Sequence, residues 1–210
     1  MSANLKHKYK FIHDLERSLA NSMARSVIKP KPIGVWEFMI PFIFILIYMK
    51  NKQIKELLVQ NFMFTKKLAL DASFEMIQTE CNKEEAIAKI EKKTNDILAS
   101  DTQKIYSDEI RRKQIKEIDL LIDHYLKLLE TEGEDYSSLV INAYQSRQSY
   151  MTFLEQLKSA EKEVSKAAQE TLGDRADTAT LTKIEKTTDR IRVAEIEKIF
   201  KTKDGRQDAQ

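Results

Sequence analysis

From Phe42 to Gln210 this chain contains no proline, and only Gly133, Gly173 and Gly205 offer glycine in that stretch. An antiparallel sheet needs turn residues every few positions, whereas a helix excludes proline from its interior. Lysine, glutamate, isoleucine, leucine, alanine and glutamine dominate these residues, and most of them are strong helix formers. The fold class is all-α.

One stretch departs from this charged background: Ile33 to Met49, IGVWEFMIPFIFILIYM. At a helical rise it spans about 25 Å, slightly short of the roughly 30 Å hydrocarbon core of a bilayer. Glu37 leaves only Phe38–Met49 free of charge, a length more typical of a buried core helix or a re-entrant segment. Pro41 would kink a helix, although bilayer helices tolerate proline better than soluble ones. Against that, Phe38–Met49 shows no polar face, as a surface helix would. Trp36 and Tyr48 stand near its ends, where amphipathic rings prefer the membrane interface. Lys29 and Lys31 precede the run, and Lys50, Lys52 and Lys55 follow it, close enough to snorkel. The flanks favour membrane contact through Trp36, Phe38, Ile40, Phe42, Phe44, Leu46 and Tyr48. The alternative is a helix buried all round in a soluble bundle. Positive residues on the two sides are nearly balanced, so orientation is not readable, and a re-entrant segment fits as well as a single pass.

Residues 1–49 hold seven Lys/Arg and three Asp/Glu, and residues 50–210 hold 28 and 30, within an overall net charge of +2. A basic leader on a nearly neutral body suits an anionic lipid surface better than nucleic acid. The single cysteine, Cys81, excludes an internal disulfide. No signal peptide of the usual kind is legible, because no small-residue cleavage site follows Met49.

The spacing divides the chain as follows. Residues 1–32 carry a basic amphipathic helix over 4–28, with Phe11, Leu15, Leu19, Met23 and Val27 recurring every fourth position. Lys29-Pro30-Lys31-Pro32 stops it. The apolar segment occupies 33–49, and a juxtamembrane helix fills 50–82. Residues 83–202 form a small helical bundle, and 203–210 a disordered tail. Asn82 and Glu85 suit the start of a helix over 83–98.

The clearest element is an antiparallel hairpin over 102–172, in which two long heptad-patterned helices meet at Gly133. Ile115, Ile118, Ile122, Tyr125 and Leu129 form one side of its core, and Tyr136, Val140, Ala143, Tyr150 and Leu154 the other. Equal helical rise from the turn pairs residues whose numbers total about 265, such as Tyr125 with Val140. Asp135 is placed to cap the second helix, which runs to Gly173 with Arg147 interrupting its seam. A last helix covers about 180–202, with Leu181, Ile184, Ile191, Val193, Ile196 and Phe200 along a seam that shifts midway.

Chemistry is sparse. No two glycines lie within ten residues, which excludes glycine-rich phosphate loops. Glu117, Asp119, Asp123 and His124 crowd one helix, but no histidine has glutamate three residues before it, as a di-iron bundle requires. His124 reads as a half-exposed helix residue. Arg111, Arg112, Lys113 and Lys116 read as a solvated face with i,i+4 partners. Tyr125, Tyr136, Tyr144 and Tyr150 read as core rings with wet hydroxyls. The expectation is a non-enzymatic, membrane-associated protein with no metal or cofactor and no evident small-molecule substrate. It would present the 83–202 bundle to a protein partner or to a second copy. The alternative is a soluble, cytoplasmic helical adaptor or oligomer with residues 38–49 as its buried central helix.

Overall fold

Helix-forming composition gives seven helices and no strand among the described residues, which in this computed structural model are 3–27, 51–102, 104–173 and 178–207. They are α1 (Ala3–Val27), α2 (Asn51–Thr79), α3 (Lys83–Ser100), α4 (Asp108–Glu130), α5 (Tyr136–Tyr144), α6 (Arg147–Leu172) and α7 (Thr178–Gln207). The apolar run 33–49, with its expected lipid contacts Trp36, Phe38, Ile40, Phe42, Phe44, Leu46 and Tyr48, lies outside the described residues. Among those described, no helix is long and apolar enough to cross a membrane.

Local signals set the helix starts. Asn82 accepts the Glu85 backbone N–H at 2.8 Å and caps α3. Ser107 caps α4 through Ile110 N–H, and Asp135 forms a reciprocal capping box with Ser138 at the start of α5. Gly173 closes α6 at φ +55°, a conformation that favours glycine. At Gly133 the constraint is space. A Cβ there would lie 2.8 Å from Ser138 Oγ and 2.9 Å from the Leu139 backbone nitrogen.

Packing is centred on α4. Its buried residues include Ile110, Gln114, Ile118, Leu121, Ile122, Tyr125 and Leu128, too wide an arc for a helix with one wet face. It packs against α1, α2, α3, α5 and α6. The main core joins Ile12 of α1, Leu68–Leu70 of α2, Ile122 and Leu128 of α4, Leu139 of α5, Phe153 of α6 and Ile199 of α7. Residues 3–27 and 51–79 are therefore integral to the bundle, which does not begin at residue 83 as the charge pattern suggests.

The buried face of α1 is Lys8, Ile12, Glu16, Ala20, Met23, Ala24 and Val27. This is one position round from the expected stripe. Phe11, Leu15 and Leu19 are only half-buried, and two charged residues lie inward instead.

The hairpin is also altered. Its second helix breaks at Gln145, which adopts φ +61°, and restarts at Arg147 with Ser146 as N-cap. Arg147 thus stands at a helix start, paired with Glu197, and interrupts nothing. Because α5 is a short separate helix, it displaces α6 along α4. The partners Lys113–Glu163, His124–Phe153 and Ser107–Thr171 have numbers totalling 276 to 278 instead of 265. Ile118, Ile122, Tyr125, Leu129, Val140, Tyr150 and Leu154 are nevertheless buried, with Ile115, Tyr136 and Ala143 at the edge of the same core. In α7, Leu181, Ile196 and Phe200 turn inward, but Val193 is 57% exposed. That helix continues to Gln207, past the expected limit at 202, with no proline to stop it.

The first two helices run antiparallel. Tyr9 bonds Asp71, Glu16 bonds Lys66, and Ala20, Ala24 and Val27 pack on Leu58, Val59 and Met63. The C-terminal end of α1 and the N-terminal end of α2 therefore stand at the same end of the bundle.

Candidate functional site

The interior holds an array of charged groups that no single helix discloses. α1 brings Glu16, α2 brings Thr65 and Lys66, α4 brings Glu117 and His124, α6 brings Glu161, and α7 brings Arg192 and Glu195. All of them line one cavity of about 200 Å³. Leu19, Met23, Phe62, Leu157 and Ile184 supply apolar wall toward the end where α1 stops and α2 starts.

Three contacts organise the charge. Lys66 Nζ donates to Glu16, and the Tyr125 hydroxyl donates to the other Glu16 oxygen at 2.9 Å. Arg192 and Glu161 form a two-pronged pair at 2.7 and 2.9 Å, the geometry in which guanidinium and carboxylate match best. Thr65 Oγ1 donates to Glu117 Oε1 at 2.7 Å. Burial opposes ionisation of Glu16, but the attraction and hydrogen bonding of Lys66, together with Tyr125, hold its carboxyl below the usual range. The same pairing holds Lys66 above the usual range despite its desolvation.

Glu117 has no such cation in contact. Burial, reinforced by the charge of Glu161, pushes its carboxyl up to about 7. Glu195 is likewise pushed up to about 7 by burial and by Glu16, and its one hydrogen bond is a long one, 3.5 Å from the Tyr150 hydroxyl. Near neutrality the cavity therefore holds two carboxyl groups poised between their charged and neutral forms.

His124 is not half-exposed. It is 3% exposed, stacked on Phe153 at 4.2 Å, and shares a 2.7 Å hydrogen bond between Nδ1 and the Tyr144 hydroxyl. Burial pulls its pKa down to about 3, so it is a neutral ring at physiological pH. Asp119 and Asp123 turn away to Lys83 on α3, each at 2.7 Å. Among the described residues no three His, Cys, Asp or Glu side chains converge to hold a metal ion. Arg111, Arg112 and Lys113 pair with Asp108, Glu109 and Glu163 at the start of α4.

The tyrosine hydroxyls are not wet, as the sequence suggested, but bonded within the protein: Tyr125 to Glu16, Tyr144 to His124, and Tyr136 to Tyr150. Sequence reasoning missed Glu16, Lys66, Glu117, Glu161, Arg192 and Glu195 as a group, because each looks like an ordinary surface residue of a charged helix. One signal was present. Glu16 falls four residues from Ile12 and four from Ala20, on a stripe otherwise apolar at that point.

No protein-family model matches this chain, and no curated protein or solved structure matches it at a significant level.

Proposed function

We propose that this chain is a non-enzymatic, membrane-associated helical protein, held on one leaflet by residues 33–49 with its bundle entirely on one side. The observation that carries the reading is the antiparallel packing of α1 on α2, with Glu16 bonded to Lys66 across it. It brings Val27 and Asn51 to the same end of the bundle. A single crossing would put α1 and α2 on opposite sides of the bilayer, which this packing argues against. The intervening residues, 28–50, are too few for two crossings, since each helical span takes about 20 residues. An apolar segment that enters and returns on one face satisfies both conditions. The lysines at 29, 31, 50, 52 and 55 then meet the same headgroup layer, where basic residues are attracted to anionic lipid. The outer faces of the bundle are what a protein partner or a second copy would meet.

Fractionation of the full chain beside a variant lacking residues 33–49 tests the reading. The full chain should pellet with membranes and resist carbonate extraction, and the deletion should be soluble with its helices intact. Full chain recovered without detergent as a well-behaved soluble species would favour a soluble helical adaptor instead.

A further inference from the structure

We infer that the cavity at the centre of the bundle is a binding site for a small organic cation, an ammonium group carried on a compact apolar body. Its volume of about 200 Å³ exceeds the roughly 150 Å³ of an apolar cavity that admits benzene, so a molecule of about nine non-hydrogen atoms fits. A purely structural core would pair its charges and fill its space. This one leaves space open and leaves carboxylates without a cation.

Six carboxylates line the cavity against four cations, with His124 neutral. Three of the cations are already engaged, Lys66 with Glu16, Arg192 with Glu161 and Lys158 with Asp189. Glu117, Glu185 and Glu195 are left over against Lys162, and of the three only Glu117 is buried. It is 6% exposed, its Oε1 takes the Thr65 hydroxyl, and Oε2 accepts no hydrogen bond among the described residues. No fully buried polar side-chain atom there lacks a partner, so the residual exposure of Oε2 is to the cavity that Glu117 lines. A buried carboxylate oxygen without a donor is costly, and a ligand donor removes that cost.

An anion would meet a surplus of negative charge. A neutral apolar molecule would leave Glu117 as it is. An ammonium group supplies three donors and the missing charge, while Leu19, Met23, Phe62 and Ile184 cover the apolar body. Binding has a proton signature as well. Glu117 faces Lys66 from α2, Glu161 from α6 and Arg192 from α7. Glu195 faces Glu16 from α1 together with Lys66, Arg192 and the Tyr150 hydroxyl. A bound cation beside Glu117 favours its ionised form, so the ligand competes with a proton and binds more tightly as pH rises.

The test is calorimetric titration of the full chain with phenethylammonium, beside its neutral counterpart 2-phenylethanol and the anion 3-phenylpropionate. The inference predicts saturable one-to-one binding of the ammonium, about tenfold or more tighter than the alcohol. That affinity should rise about tenfold from pH 6 to pH 8, as a carboxyl titrating near 7 ionises. Glu117→Gln keeps the shape and should abolish both the preference for the ammonium and its pH dependence, with a melting curve confirming the fold. Should that variant not fold, Ala20→Leu, which fills the cavity from α1, should abolish binding of all probes. No saturable ammonium binding, equal affinity for the three probes, or ammonium binding that survives both substitutions would overturn the assignment.

Discussion

Replacing Lys66 with methionine keeps most of the side-chain volume on α2 and removes the cation that Glu16 depends on. The Glu16 side chain is 7% exposed and that of Lys66 is 20%. After the substitution the carboxylate retains only the Tyr125 hydroxyl as a donor. Breaking one side of a buried pair costs roughly 3–5 kcal/mol, because the remaining charge stays desolvated. Water can reach the place the Lys66 ammonium leaves, so the lower figure applies, about 3 kcal/mol. For a chain of this size that lowers the melting temperature by roughly 6–12 °C.

The pH dependence carries the diagnosis. In the parent protein the Glu16 carboxyl sits below its unfolded value, so its contribution is present above that value and lost as pH falls through the folded one. In Lys66→Met, burial prevails and the carboxyl rises above its unfolded value. The penalty is then largest at pH 7–8 and shrinks toward pH 5, as the group takes up a proton. Thermal melts of both proteins at pH 5, 6, 7 and 8 measure this directly, and Glu16→Gln/Lys66→Met should recover most of the loss. A deficit below about 1 kcal/mol at pH 7, or one that does not shrink toward pH 5, would refute a buried, mutually dependent pair.

Glu117→Gln should stabilise the protein at pH 8 and do little at pH 5. The raised carboxyl, near 7 against roughly 4.3 unfolded, opposes folding increasingly as pH rises from the unfolded value to the folded one, and the cost levels off at about 3 kcal/mol above that, read in denaturant melts. Gly133→Ala should destabilise by about 1–3 kcal/mol in the same assay, because its Cβ would meet the backbone nitrogen of Leu139 at 2.9 Å. Cysteines at 107 and 171, in a Cys81→Ser background, should form a disulfide on mild oxidation, since the two hydroxyls there are 2.7 Å apart. Failure to close that bond would mean the α4–α6 register is wrong. Ile122→Ala in the full chain should cost roughly 2–5 kcal/mol, as for other fully buried aliphatics.

What could be read in the sequence is what single helices carry. Absence of proline gave the all-α class, and Asn82 and Asp135 are short-range signals read by their own neighbours. The break at Gln145 left only a weak trace, Ser146 three residues before Ser149, in a stretch whose heptad spacing runs on without a gap. Missing that break moved the register of everything beyond it, because α5 occupies the space where a continuous helix would have paired with α4. The face of α1 was misplaced for a different reason. Phe11, Leu15 and Leu19 outweigh Lys8 and Glu16 in any count of apolar residues, yet Lys8 reaches the Leu129 carbonyl and Glu16 reaches Lys66. Those partners are 121 and 50 residues away respectively, so periodicity cannot see them. The cavity is assembled from six helices, and its carboxyl groups are individually indistinguishable from the solvated glutamates around them.

The most direct test of the one-sided arrangement is the accessibility of two exposed positions flanking the apolar run, Lys10 on α1 and Glu84 on α3. Each would be replaced by cysteine, singly, in a Cys81→Ser background, and the full chain inserted into sealed vesicles and treated with a membrane-impermeant maleimide. The account predicts that, within one preparation, both positions label to the same extent before the vesicles are lysed. Labelling of one position in intact vesicles, with the other reactive only after lysis, would place α1 and α3 on opposite faces and contradict it.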